Sequence, residues 1–321
     1  MSLKNHLRKY LFGITLPQEF ICIDIENFAS PLKIFLKSHN SQSELIEDDE
    51  QLFLGYKPLV IGIIAVHNST RYKYLSESSI IKLNFKDENY NSVAELELRK
   101  FKKVENESAT LFLYEGLQGD YSFQSKFHFI MNNLKYRLTP NKKQNVYLHG
   151  NLYQQVVIAY SVPRVISLIS ISDGRFCNLF PTDLNGNFGK ENYIISLRIG
   201  GKASEQVERI KKVLLAKMPV DSCSNVYSLS KNHMQELTDE NNFKFKKERS
   251  VNFNFPVPDN VVSYSELKLT NSVEIGIHKL YFFKIVHTES INQSKSILAH
   301  IHRTYAEWRK RNSIHTDFVI R

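Results

Sequence analysis

Residue types able to do chemistry gather in the second half of this 321-residue chain, where a strand-like run meets two glycines. Tyr193–Arg198 reads as a strand and stops at Gly200–Gly201. From Lys202 the apolar period changes. Ala203, Val207, Ile210, Val213 and Leu214 follow helical spacing, while Glu205, Glu208, Arg209, Lys211 and Lys212 take the other faces. The first turn of such a helix presents unpaired N–H groups and the positive end of its dipole, which suits a phosphate. Two glycines let the backbone approach closely, and Arg198 and Lys202 add charge. The same pattern also serves as a plain connection, so the turn alone does not decide.

Upstream, Ser172–Asp173–Gly174–Arg175 reads as a tight turn. Phe176–Phe180 then leads into Pro181–Thr182–Asp183–Leu184–Asn185–Gly186, a loop dense in hydrogen-bonding side chains. No nucleophile, base and acid combine into a catalytic triad. His300-x-His302, with His278 and His287, is the one pattern resembling a metal pair, but no carboxylate or cysteine stands at typical ligand spacing. Plain packing is the first account of these rings, and a place beside a cofactor for His278 or His302 the second.

The elements that must position these groups read mostly as strands. Lys33–Leu36, Pro58–Val66, Glu95–Phe101, Thr110–Tyr114 and Asn145–His149 in the first half, and Val156–Ala159 and Val165–Ile171 in the second, are β-forming runs; Pro163 breaks the ladder between the last two. Phe127–Leu138 has helical spacing through Phe127, Ile130, Met131 and Leu134. Pro140–Gln144 reads either as an interdomain connection or as a loop within one fold. No internal repeat is strong enough to count, and two related barrels in tandem stay open. The length allows two domains or one large one.

Hydrophobic residues at 42% and charged residues at 23% indicate a globular chain rather than a disordered one. Sixteen Tyr and 21 Phe against 12 Gly favour β-rich cores. The formal net charge of +9 is scattered over Arg99–Lys103, Lys142–Lys143, Lys244–Arg249 and Arg309–Arg311, with acidic runs such as Glu47–Glu50 offsetting it. That distribution argues for solvated loops over a nucleic-acid surface. No apolar run is long enough to span a membrane, and the basic Met1–Phe12 is not followed by a signal-peptide core. Cys22, Cys177 and Cys223 lack CxxC spacing, which fits a reducing cytoplasm.

The run CNLFPTDLNGNFGKENYIISLRIGGKASEQVERI (Cys177–Ile210) resembles the central segment of flavin reductase-like proteins. VEIGIHKLYFFKIVH (Val273–His287) is similar to that family's later strand, and LAHIHRTY (Leu298–Tyr305) to the segment that closes its site. The family comparison makes this last stretch a strand entering a loop, whereas Leu298, Ile301, Tyr305 and Trp308 have helical spacing. Where the family usually carries Lys-Asp-Thr at the phosphate turn, this chain has Gly200–Gly201–Lys202–Ala203–Ser204.

The resemblance implies a mainly β fold with some helix. An FMN-binding split β-barrel would occupy residues 146–321, preceded by a second β-rich domain of unknown role over residues 1–145. It implies Asn178, Thr182, Asp183 and Asn185 as contacts to the flavin ring or ribityl chain, and Ser196, Arg198 and Lys202 as phosphate contacts. The expected activity is NADH- or NADPH-dependent reduction of flavin or a small acceptor by a cytoplasmic homodimer, with no metal, nucleic-acid or membrane partner. A flavin-binding protein without turnover, and a barrel that has lost its cofactor and serves as an interaction protein, are the alternatives. In the expected chemistry the isoalloxazine ring accepts the hydride, so the protein need supply only orientation, hydrogen bonds and exclusion of water.

Overall fold

The computed structural model describes residues 19–37, 43–125, 130–131, 134, 148 and 150–319. The basic Met1–Phe12, the Pro140–Gln144 connection, and Asn145–His149 apart from Leu148 lie outside the described residues. So does most of Phe127–Leu138, of which Ile130, Met131 and Leu134 are helical.

The first half supplies β1 (Phe20–Asp24), β2 (Lys33–Lys37), β3 (Ser43–Ile46), β4 (Gln51–Tyr56), β5 (Leu59–Val66), α1 (Thr70–Glu77), β6 (Ile80–Lys86), β7 (Ser92–Glu105) and β8 (Ala109–Tyr121). The second opens with α2 (Asn151–Ala159), β9 (Arg164–Val165), β10 (Ser167–Ser172), β11 (Cys177–Thr182), β12 (Asn185–Asn187), β13 (Asn192–Arg198) and α3 (Lys202–Ile210). It continues with β14 (Lys212–Lys217), α4 (Cys223–Ser228), β15 (Phe245–Arg249), β16 (Pro256–Pro258), β17 (Ser263–Ile275) and β18 (His278–Ser290). It ends with β19 (Leu298–His302), α5 (Arg303–Arg311) and β20 (Phe318–Val319). The fold is mainly β with some helix, as the sequence implies.

Two seven-stranded antiparallel sheets carry the architecture, ordered β3-β2-β6-β7-β8-β5-β4 and β11-β10-β14-β17-β18-β13-β12. Counting each sheet's strands one to seven along the chain, both orders are 2-1-5-6-7-4-3. Each curls into a half barrel, and in each a helix follows the fourth strand. Leu75 of α1 lies in the first core with Ile61, Ile63, Leu96 and Phe112. Ala203 and Val207 of α3 lie in the second with Ile195, Leu197, Tyr281 and Phe283.

A further apolar layer joins the sheets: Leu52, Leu54, Val60, Leu111 and Leu113 meet Phe188, Ile194, Ile275, Leu280 and Phe282. A four-stranded sheet, β20-β1-β19-β9, ties the two ends of the chain together, with Phe20–Asp24 antiparallel to Leu298–His302.

Val156–Ala159 is helical, not a strand. Its β-branched residues lie among Leu59, Phe112 and Tyr114 of the first core, and that burial overrides local propensity. Gly116 and Gly119 of β8 make the approach possible: a Cβ on Gly119 would stand 3.1 Å from the Gln155 Cα. Leu298–Tyr305 resolves the other ambiguity by being both things in turn. It is a strand to His302 and a helix from Arg303, with the His302 ring accepting the Thr304 N–H as the helix cap at 3.1 Å.

Candidate functional site

The α3 entry forms as its residues dictate. Gly200 takes φ +77°, a conformation glycine adopts without strain, and Gly201 caps the helix with no side chain of its own. The Gly201 and Ser204 amides bond to the Arg198 and Gly201 carbonyls, so the first-turn amides left to meet a ligand are those of Lys202 and Ala203. Beside them opens a cleft of about 560 Å³, within the usual range of small-molecule sites. Thr182 and Asp183 reach it from the end of β11, Ser196 and Arg198 from β13, and His278 from the start of β18. Ser230, Lys231, His233 and Met234 come from a short 3-10 segment, and Tyr56 comes from β4 of the first half.

Asp183 is held on one oxygen, accepting from Tyr160 at 2.6 Å and from the His300 Nε2 at 2.9 Å. Burial by itself would raise its carboxyl. The bonds from His300 and Tyr160 outweigh burial and hold it at about 2. The His300 Nδ1 meets the Tyr227 hydroxyl at 2.7 Å, and its ring stacks on Phe20. His302 is engaged by Thr304 and lies 3.5 Å from the Tyr153 hydroxyl. Among the described residues no group of three His, Cys, Asp or Glu could hold a metal ion.

His278 is different. It is 2% exposed, its Nδ1 lies 3.4 Å from the Ser196 hydroxyl, and its Nε2 has no hydrogen-bond partner. Burial, then the Arg198 cation, pushes the ring down to about 4, so it is neutral near pH 7. Tyr56 meets it edge to face with centroids 4.4 Å apart. His233 is likewise lowered by burial and donates from Nε2 to the Pro181 carbonyl at 2.6 Å.

Four of the seven residues expected from the sequence therefore meet in one cleft: Thr182, Asp183, Ser196 and Arg198. Asn178 does not line it. Its amide donates to Gln206 at 2.8 Å and to the Asn232 carbonyl at 3.0 Å, pinning the 3-10 segment that forms the cleft wall. Asn185 accepts from Tyr193 at 2.5 Å and faces a separate groove beside Arg164 and Gln51. Lys202 does not line the cleft either and is paired with Glu205 at 2.9 Å and Glu236 at 2.8 Å. Lys231, His233 and Tyr56 carry no sequence signal, because long-range packing alone brings them to the cleft.

No protein-family model matches the chain, and no curated protein matches it. Solved structures similar to it include flavin reductases and FMN-binding proteins. One is an FMN-binding protein from Thermus thermophilus, at 14% identity and TM-score 0.37, covering 47% of this chain and 81% of that one. Another is a Streptomyces globisporus NADH:FAD oxidoreductase, at 7% identity and TM-score 0.41, covering 48% and 92%. A third is a putative flavin reductase from Haemophilus somnus, at 12% identity and TM-score 0.39, covering 47% and 93%. At such identities and TM-scores the likeness reaches neither activity nor site residues.

Among the described residues no helix is long and apolar enough to cross a membrane.

Proposed function

We propose that the cleft binds FMN and that the chain is a flavin reductase-like oxidoreductase using NADH or NADPH. The observation that carries this reading is the meeting of two unlike kinds of group in one cleft. The entry to α3, Arg198 and Lys231 line it together with a buried neutral imidazole that has an unpaired nitrogen. Such an orphan is costly unless a ligand meets it. A phosphate with a polar heteroaromatic ring on a hydroxylated chain supplies both complements.

In this reading Arg198, Lys231 and the Lys202 and Ala203 amides hold the phosphate, with Gly201 leaving room for it. Thr182, Ser196 and His278 offer hydroxyl and imidazole groups to the ring or its chain. The flavin, when bound, supplies the hydride chemistry. The protein's own contribution is orientation and exclusion of water. Asp183, ionised and fixed by Tyr160 and His300, gives the cleft one anchored negative charge. His278, lacking a proton to spare near pH 7, acts as a hydrogen-bond partner rather than as an acid.

The test is the spectrum of the purified protein after FMN addition and gel filtration, then anaerobic addition of NADH or NADPH. Retained flavin absorbance that bleaches is expected. Retention without bleaching leaves binding and removes turnover, and no retention removes the reading.

A further inference from the structure

The matching strand orders extend to details that strand order alone does not require. In the first sheet Val66 pairs with Ala109 and Val60 with Glu115. At the same places in the second, Arg198 pairs with His278 and Asn192 with Lys284. Ile80 opposite Arg99 corresponds to Lys212 opposite Lys268. The register of β7 on β8 shifts between Glu97 and Leu98 and again between Lys100 and Lys102. That of β17 on β18 shifts between Glu266 and Leu267 and again between Leu269 and Asn271, the corresponding positions.

Both helix entries repeat too. Asn68 at φ +63° precedes the cap Ser69, as Gly200 at φ +77° precedes the cap Gly201. The layer between the sheets uses equivalent strands on its two sides, β4, β5 and β8 against β13 and β18 with the β17 and β12 ends, as an isologous interface between two copies would.

We propose that the chain is two copies of one barrel unit working as a pair within a single polypeptide, with one anion-binding cleft instead of two. The C-terminal copy keeps the seat. The N-terminal copy has lost its own and serves as the partner wall, giving Tyr56 to the cleft.

The loss is visible position by position. Where the second copy has Arg198, the first has Val66; for His278 it has Ala109, and for Ser196, Ile64. Thr182 corresponds to Ile46 through their shared place opposite Ser167 and Ile34. At the helix entry Ser69 replaces Gly201, and its hydroxyl accepts the Tyr72 N–H at 3.1 Å, so a capping side chain stands where the second copy leaves the backbone bare. The retained seat does not rest on a helix end alone, since His278, whose Nε2 is buried without a hydrogen-bond partner, lines the same cleft. The polar set is thus replaced together on one side and kept together on the other.

This inference rests on the cofactor reading only for the identity of the anion, so the test begins with inorganic phosphate. The full chain, labelled with ¹⁵N at glycine and serine, is titrated with phosphate at constant ionic strength. Saturable shifts at Gly200 and Gly201, with none at Ser69, are expected. FMN is then titrated with light scattering on the same sample. One FMN per 37.4 kDa chain, with the particle remaining a single chain, is expected. Tyr56→Ala should weaken FMN by about three- to tenfold, the worth of one aromatic contact, and Tyr56→Phe much less. A response at Ser69 equal to that at Gly201, no response at Gly201, two FMN per chain, or a homodimer that must form before FMN binds would each overturn the proposal. Phosphate shifts at Gly201 without any FMN binding would remove the flavin reading and leave the single seat standing.

Discussion

Arg198 and Lys202 stand four residues apart, both basic, both beside the Gly-Gly turn, and the sequence cannot separate them. The structure does. Arg198 lines the cleft, while the Lys202 ammonium does not and is shared between Glu205 and Glu236. The two changes should therefore behave oppositely. A charge-assisted contact contributes about 1.5–3 kcal/mol, so Arg198→Ala should weaken FMN by roughly 10- to 100-fold. Lys202→Ala should leave FMN within about twofold, because an exposed pair of this kind contributes little. Riboflavin, which lacks the phosphate, should bind both variants and the parent alike, and parallel titrations of the two ligands read this directly. Equal losses of FMN and riboflavin in Arg198→Ala would mean damage to the cleft rather than loss of a phosphate contact. Asn178 teaches a related lesson. A short amide just ahead of a polar loop suggests a ligand contact, yet Asn178 lies within β11 and its bonds to Gln206 and Asn232 make it a brace for the cleft wall.

Elements with strong local signals were legible. The change of period at Lys202 marks the start of α3, where Ala203 and Val207 face the barrel interior, but not its end: Val213 and Leu214, which share the helical spacing, lie in β14 after the left-handed Lys211 stops the helix. The turn at Ser172–Arg175 is likewise written in Asp173, whose carboxylate takes the N–H groups of Arg175 and Phe176. Helix α2 was not legible, since Val156, Val157 and Ile158 prefer strands and only the first sheet's burial makes them helical.

The β17–β18 hairpin was not legible: Val273–His287 reads as one later strand, whereas the chain turns at Gly276 between β17 and β18. Gly276 sits at φ +58° with its α-carbon against the β4–β5 turn of the other half. A Cβ there would lie 2.3 Å from the Lys57 carbonyl oxygen and 2.4 Å from the Pro58 Cδ. Backbone atoms cannot step aside as a side-chain tip can. Gly276→Ala should therefore destabilise the protein by about 1–3 kcal/mol through overpacking and the disfavoured φ. It should also lower FMN affinity, because Tyr56 and His278 flank the same contact. Denaturant melts of the parent and of Gly276→Ala check the first expectation. An unchanged midpoint would show that the two halves do not press on each other here.

At the scale of the whole molecule, the sequence places every candidate beyond Cys177, which suggests that residues 146–321 could work alone. The packing argues otherwise on three counts. Strand β1 is the central neighbour of β19, so removing the first half leaves that edge unpaired beside His300, which also loses the stacked Phe20 ring. Ile194, Leu280 and Phe282, each 6% exposed or less, lose the Leu52, Leu54, Leu111 and Leu113 side chains that cover them. Side chains of this kind each contribute about 1.5–3 kcal/mol when buried, comparable in sum to the whole stability of an ordinary domain. The cleft also loses Tyr56. A chain of residues 146–321 should accordingly be aggregated or unfolded on expression, and any soluble fraction should bind FMN far more weakly than the full chain. Circular dichroism and gel filtration of the truncated chain, followed by FMN titration, test this. A monomeric, cooperatively melting fragment with undiminished FMN affinity would show that the first half is an appendage, and that the contacts between the sheets hold nothing the cleft requires.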